Sequence, residues 1–175
     1  KTLDEYLNIS NITCTRSHWK HIFINLKNSK QGSISKISNN INILKDRKVF
    51  VIYINTIIDP NYKVRFDSKS VNWYESFFIL SDSLTHKNVS SYLEIPTKYI
   101  DKGLYITHWK DGDKIKLNDH SKKISDLFIN NKISILDKKY YPIVRDNNNN
   151  ILWVPNIAKI NYTGCSDSVY IMWRS

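Results

Sequence analysis

Cysteine, glycine and proline are all scarce in this chain, and each scarcity removes a class of protein. Cys14 and Cys165 are too few and too far apart for a disulfide framework, and neither has a metal-ligand partner at the usual spacing. Both read as free thiols, the state of a reducing, cytoplasmic compartment. Gly 4 and Pro 4 in 175 residues exclude a linker or low-complexity protein. Long apolar runs are missing too. The longest, Val49 to Ile58, is interrupted by Asn55 and is too short to span a bilayer. No signal peptide is visible, and no membrane partner is expected. The first residue is Lys1 rather than Met, which points to a piece of something longer.

Signatures of catalysis are also missing. The sequence has no Gly-rich phosphate loop, no nucleophile-elbow Ser and no Cys/His pair at useful spacing. His18 and His21 lie one helical turn apart without an acidic or Cys partner nearby, so they read as a solvent-facing helix surface rather than a metal pair. Asp111 and Asp113 straddle Gly112, and Asp113 suits the locking of a turn better than acid/base chemistry. The residues therefore offer no catalytic group, no metal site and no cofactor.

What the chain does have is charge and enough apolar residues to build cores. Hydrophobic residues make up 41% and aromatics 13%. Lys+Arg 26 against Asp+Glu 16 gives a net +10. Such an excess draws in polyanions, and nucleic acid is the commonest soluble one. A lysine-rich background is the competing explanation, since Lys, Asn and Ile are abundant everywhere.

The patterning predicts two α+β lobes, residues 1–90 and 91–175, without an internal repeat. Thr15 or Ser17 can cap a helix in which Trp19, Ile22, Phe23 and Leu26 share one face, with Gly32 as its stop. Ile34 to Leu44 and Val49 to Ile58 read as strands joined by the polar turn Lys45 to Lys48. Val64-Arg65-Phe66 alternates like a strand. Trp73 to Leu80 is apolar without a readable period, and Ser81 to Ser91 is a polar linker. In the second half, Ser91 to Ile100 is broken at Pro96 and leads to a strand at Leu104 to Trp109. A helix over Lys122 to Asn131, capped by Ser121, follows. Tyr141 to Arg145 and Ile151 to Val154 form a hairpin across Asn147 to Asn150, and Val169 to Trp173 is a final strand. Trp19, Trp73, Trp153 and Trp173 sit in apolar patterns and read as core.

The segment from His108 to Lys132 concentrates the chemistry. Lys110, Lys114, Lys116, Lys122 and Lys123 cluster around the turn Asp111-Gly112-Asp113, with Trp109 among them. Lysines contact phosphate without reading base identity, and Trp109 offers a stacking face. His108 and His120 flank the turn and are either RNA contacts or structural. The bland reading of the whole unit is a solvated basic face with Trp109 half buried.

The same residues resemble the C-terminal part of bacterial tRNA(Ile)-lysidine synthase, from Leu93 to about Trp173. Leu93-Glu94-Ile95-Pro96 is similar to the family's Leu-x-x-Pro-Leu lead-in, and Trp109-Lys110-Asp111-Gly112-Asp113 to its Trp-x-x-Gly-Asp turn. Ser121 to Ile129 is similar to its Lys-Lys-(Leu/Val)-Ser-Asp-Phe-Phe-Ile block, followed by the basic-apolar step Lys132-Ile133. Pro142-Ile143-Val144 and Ile151 to Pro155 resemble the hairpin ending in Ile-x-Trp-Val-x-Gly. Over residues 1–90 the helix and hairpin resemble the family's intermediate domain more weakly. Two departures concern glycine. The family's Pro-x-Gly-Met-x-Gly loop is Lys116-Leu117-Asn118-Asp119-His120 here, and Asn156 stands where the glycine follows Trp-Val-x.

The resemblance implies a layered, β-sandwich-like C-terminal domain similar to a module of the phenylalanyl-tRNA synthetase β subunit. In that family an ATP-dependent ligase domain adenylates the wobble cytidine of a CAU-anticodon isoleucine tRNA, and lysine displaces AMP to give lysidine. The Ser-Gly-Gly-x-Asp-Ser loop that holds ATP does not occur in this sequence. The implied role is thus non-catalytic: docking of the tRNA body and acceptor stem through Trp109, Lys110, Lys114, Lys116, Lys122, Lys123 and Lys132, alongside an N-terminal catalytic domain. Gly112 and Asp113 would shape the turn, and DNA is not an expected partner. The alternative from a different class is a protein-interaction or assembly module of a synthetase-like protein with no RNA role.

Overall fold

A computed structural model describes residues 15–84, 91–118, 120–162 and 167–174. The readings made of Cys14 and Cys165 lie outside the described residues. The chain divides into two compact units, Lys1–Ile57 and Ile58–Ser175.

In the first unit Thr15 caps helix α1 (Arg16–Asn28), its hydroxyl accepting from the His18 N–H at 3.3 Å. Trp19, Ile22 and Leu26 recur a turn apart and bury with Ile37 and Ile43. The helix stops at Asn28, short of Gly32. Lys45 Nζ reaches the carbonyls of Lys27 and Ser29 at 2.8 and 2.6 Å, satisfying acceptors that the helix end leaves open. The strand expected over 34–44 is broken in two, β1 (Ile34–Lys36) and β2 (Ile41–Asp46). Polar Ser38-Asn39-Asn40 turns the chain between them, and the Ile37 N–H donates to the Ile41 carbonyl at 2.8 Å. Antiparallel β3 (Val49–Ile54) completes a sheet in the order β1-β2-β3.

The second unit runs β4 (Lys63–Arg65), β5 (Ser70–Trp73), β6 (Ser76–Ser81), β7 (Ser91–Pro96), α2 (Lys98–Lys102), β8 (Leu104–Thr107), β9 (Lys114–Leu117) and β10 (His120–Lys123). It continues with α3 (Ile124–Asn130), α4 (Ile135–Tyr140), β11 (Ile143–Asp146), β12 (Ile151–Val154), β13 (Ala158–Lys159) and β14 (Ser168–Arg174). Its described strands form two sheets, ordered β5-β6-β14-β7 and β10-β9-β12-β11-β8-β4, with β13 beside β12. A core containing Phe66, Trp73, Phe78, Leu93, Ile106 and Trp153 draws on strands of both sheets, and Phe78 meets Trp153 edge-on at 5.9 Å. Strand alternation sends neighbouring Ile143 and Val144 to different cores. Ile143, Ile115 and Val154 bury with Ile124, Leu127 and Phe128 of α3. The result is a mixed α+β, sandwich-like stack of sheet, sheet and helix.

Two expectations are corrected and one run left open by the sequence is resolved. The division expected near residue 90 falls at Ile57/Ile58 instead, because β4 pairs with β8 (Val64 opposite Ile106) and β6 with β14 (Phe78 opposite Trp173). The unreadable run Trp73 to Leu80 contains a tight turn at Tyr74-Glu75, where Trp73 pairs with Ser76 and Tyr74 takes φ 51°. The helix expected from Lys122 begins only at Ile124. Ser121, Lys122 and Lys123 belong to β10, and Lys123 is the N-cap without a side-chain bond.

The asparagine hairpin forms as expected. Asp146 Oδ1 accepts from the N–H groups of Asn148 and Asn150 at 2.9 and 2.8 Å. No helix among the described residues is long and apolar enough to cross a membrane.

Candidate nucleic-acid interface

The turn after β8 is held by its own carboxylate. Asp113 Oδ2 accepts from the Lys110 N–H at 2.7 Å, and the Asp113 N–H donates to the Lys110 carbonyl at 3.1 Å. Gly112 takes φ 88°, a conformation that costs glycine little. Arg145, on β11, donates to the same Asp113 carboxylate and spends its Nε on Thr107 Oγ1 at 2.8 Å. The Asp113 carbonyl then accepts the Ile124 N–H at 2.9 Å, so the turn also fixes the start of α3. Asp113 thus joins the Lys110 backbone and the Arg145 guanidinium through one carboxylate. The buried guanidinium of Arg145, only 4% exposed, was not anticipated. Its signal was an arginine inside an otherwise apolar hairpin strand.

The lysines emerge beyond this lock. On β9, Lys114 and Lys116 are exposed and alternate with buried Ile115. Antiparallel register sets Lys123 of β10 opposite Lys114, and Ser121 opposite Lys116, so these four share one face. Lys122 stands opposite Ile115. Lys114, Ser121, Lys122 and Lys123 line a cleft of about 440 Å3 with Asp126 and Asn130 of α3. The structure therefore brings together Lys114, Lys122 and Lys123, with Lys116 on the same strand face as Lys114 and Lys123. Asp126 and Asn130 were missed, because the sequence alone did not show that the helix starts two residues late and folds back over the hairpin.

The other expected contacts are dispersed. Lys110 is exposed at the turn, its Nζ 3.5 Å from Asn61 Oδ1. Lys132 follows α3 in a left-handed conformation, φ 56°, which closes the helix end as Ile133 N–H bonds the Phe128 carbonyl at 2.9 Å. Trp109 is half buried and meets Phe128 edge-on at 5.6 Å, so much of its surface is spent on packing. His120 is exposed on β10, and His18 and His21 are exposed on α1. His108 is buried: its Nδ1 lies 2.7 Å from the Lys139 carbonyl and its Nε2 3.0 Å from the Tyr74 hydroxyl. Desolvation lowers its pKa below the usual value, the hydrogen bond to Lys139 opposing this in part. His108 is structural.

Both glycine departures fall on left-handed backbone. Asn118 takes φ 47° in the β9–β10 connection and Asn156 takes φ 58° after β12. Asparagine is among the non-glycine residues that tolerate this region best, so the turns form without glycine.

No family model matches the chain. Curated relatives match about a third of it. The tRNA(Ile)-lysidine synthase of Bacillus licheniformis is 36% identical over 64 residues, which is 35% of this chain and 13% of that protein. The synthase of Bacillus subtilis strain 168 is 40% identical over 71 residues, 37% of this chain and 15% of that protein. The synthase of Thermotoga maritima is 31% identical over 62 residues, again 15% of its length. Among solved structures, a crystal structure of the TILS C-terminal domain aligns with a TM-score of 0.53 at 19% identity, covering 65% of this chain and 98% of that one. Over about a third of its sequence the chain is homologous to tRNA(Ile)-lysidine synthases, and it has the fold of the TILS C-terminal domain.

Proposed function

We propose that this chain docks and orients isoleucine tRNA with a CAU anticodon for ATP-dependent lysidine formation at the wobble cytidine. Catalysis is assigned to a domain outside these residues, and no ATP or lysine site is assigned within them. The observation that carries this reading is the lysine cleft. Three cations, Lys114, Lys122 and Lys123, border one concavity on paired strands β9 and β10, in a chain of net +10. Exposed lysines along paired strands suit recognition of a stem by shape and phosphates rather than by base edges. Lys116 extends the same strip, and Lys110, Lys132 and the exposed edge of Trp109 are secondary contacts in this reading. The homology to tRNA(Ile)-lysidine synthases supports a tRNA, rather than nucleic acid in general, as the polyanion.

The test is a salt titration of binding to this tRNA, run beside an elongator methionine tRNA and a minimal acceptor-stem hairpin. Replacing Lys122 and Lys123 by Glu should weaken binding and reduce the slope of log affinity against log salt by about 1.5, the release expected for two phosphate contacts. Unchanged affinity and slope in the folded double variant would overturn the assignment. An RNase-insensitive complex with another protein would then favour an assembly module.

A further inference from the structure

A second concavity in the Ile58–Ser175 unit has the opposite character. A cleft of about 620 Å3 opens between the β5–β6 turn and the α4–β11 junction. Its aromatic walls include Trp73, Tyr74, Tyr140 and Trp173, and its charged lining groups are Glu75 and Asp137. Among its described lining residues there is no Lys, Arg or His, although the chain as a whole carries +10. Lys138 and Lys139 follow Asp137 in α4, but neither lines the cleft.

Trp73 and Trp173 form buried walls, at 1% and 8% exposed, and the accessible ring surface belongs to Tyr74 and the half-buried Tyr140. The Trp73 indole N–H donates to the Tyr140 carbonyl at 2.6 Å. The His108 Nδ1–H serves the Lys139 carbonyl, so Nε2 is free to accept the Tyr74 hydroxyl proton. The Tyr141 hydroxyl, pushed up to about 12 by burial and then by Asp137, donates to the Pro155 carbonyl at 2.7 Å. With these three polar handles tied inward, the cleft offers the rings of Tyr74 and Tyr140 and two exposed carboxylates, while the Trp173 indole N–H is buried without a protein partner among the described residues. Tyr74 meets Tyr140 edge-on at 5.0 Å, yet remains 46% exposed on backbone of φ 51°, an uncommon conformation for so bulky a residue.

Electron-rich rings beside carboxylates attract an organic cation and repel phosphate. A nucleobase can stack on such rings, but it arrives with phosphates that Glu75 and Asp137 oppose. The geometry points to a docking site for an arginine or lysine side chain presented by a protein partner, separate from the lysine cleft that faces RNA. The guanidinium or ammonium lies against the rings, and Glu75 and Asp137 neutralise it.

The test titrates the whole chain with N-acetyl-arginine amide and N-acetyl-lysine amide, and with neutral N-acetyl-glutamine amide as control. Indole N–H signals are followed by NMR, with Trp73 and Trp173 assigned through Trp→Phe variants. Saturable shifts at these two indoles with the cationic probes alone are expected. Glu75→Gln with Asp137→Asn should weaken them about five- to tenfold, while the remaining indole signals stay in place. An absence of saturable shifts, equal shifts with the glutamine probe, or undiminished binding in the double variant would each overturn the site. Tighter binding of a nucleoside monophosphate than of the arginine probe would overturn it as well and make the cleft a base-stacking surface.

Discussion

Arg145 and the β9–β10 lysines are cations of one small region, and they are used in opposite ways. Arg145 is buried and paired with Asp113, with further bonds to Thr107 and Asn149. Lys114, Lys116, Lys122 and Lys123 are exposed, and two of them face each other across the ladder. A cation whose donors are used internally builds the scaffold. Cations left facing one another serve the scaffold poorly and are available to an external anion. The same contrast separates what stability measurements can detect here from what binding measurements can.

The largest expected effect lies at the scaffold end. Arg145→Met removes the guanidinium and leaves Asp113 with little water to replace it. A loss of about 3–5 kcal/mol in unfolding free energy is expected by denaturant titration. Adding Asp113→Asn should recover part of that loss, since the uncompensated charge is then gone. If Arg145→Met costs no more than an exposed substitution, the pair is not the lock described, and the comparison with the lysines fails.

His108 sharpens the contrast from a third side, as a basic group kept uncharged. Burial holds its pKa below the ordinary value, so the unfolded chain takes up the proton first as pH falls. Stability contributed by neutral His108 is therefore full above the unfolded value of about 6.5. It declines on acidification until the folded pKa is passed. Denaturation midpoints measured from neutral to mildly acidic pH should fall in that direction, and less steeply in His108→Gln, which cannot titrate. An identical pH slope in the variant would assign the acid sensitivity to other groups.

Periodic apolar segments were legible in the sequence, and polar connections only in part. Trp19, Ile22 and Leu26 announced α1 by their spacing, and all four tryptophans read as core are buried. The hairpin over Asn147 to Asn150 was legible because a run of one tolerant residue type separates two apolar strands. By contrast, Ser121-Lys122-Lys123 fits a helix start by composition, yet its ladder with Lys114-Ile115-Lys116 makes it a strand. That pairing is a tertiary choice, and local propensity does not encode it. The split at residue 90 failed for the same reason. The polar stretch 81–91 looks like a boundary, but β6 and β7 on its two sides both pair with β14, the last strand of the chain. At the candidate site the lysines and the turn carboxylate were readable one by one. Arg145, Asp126 and Asn130 become neighbours of them only through the sheet order and the fold-back of α3.

The smallest expected effect is also the most discriminating, because its two readouts move in opposite directions. Lys123 faces Lys114 in register and caps α3 without a side-chain bond. Lys123→Ser removes a like-charge pair, a relief of about 0.2–1 kcal/mol, and supplies a hydroxyl cap worth about 1 kcal/mol. The folded state should therefore gain about 1 kcal/mol in a denaturant titration. Affinity for tRNA should fall at the same time, with the salt slope reduced by about 0.7–0.9 for one lost phosphate contact. A lysine retained for structure would lose stability on this substitution and leave binding untouched. A lysine held at some cost to the fold for the sake of an anion does the reverse, and that reversal is what the two cation classes of this unit predict.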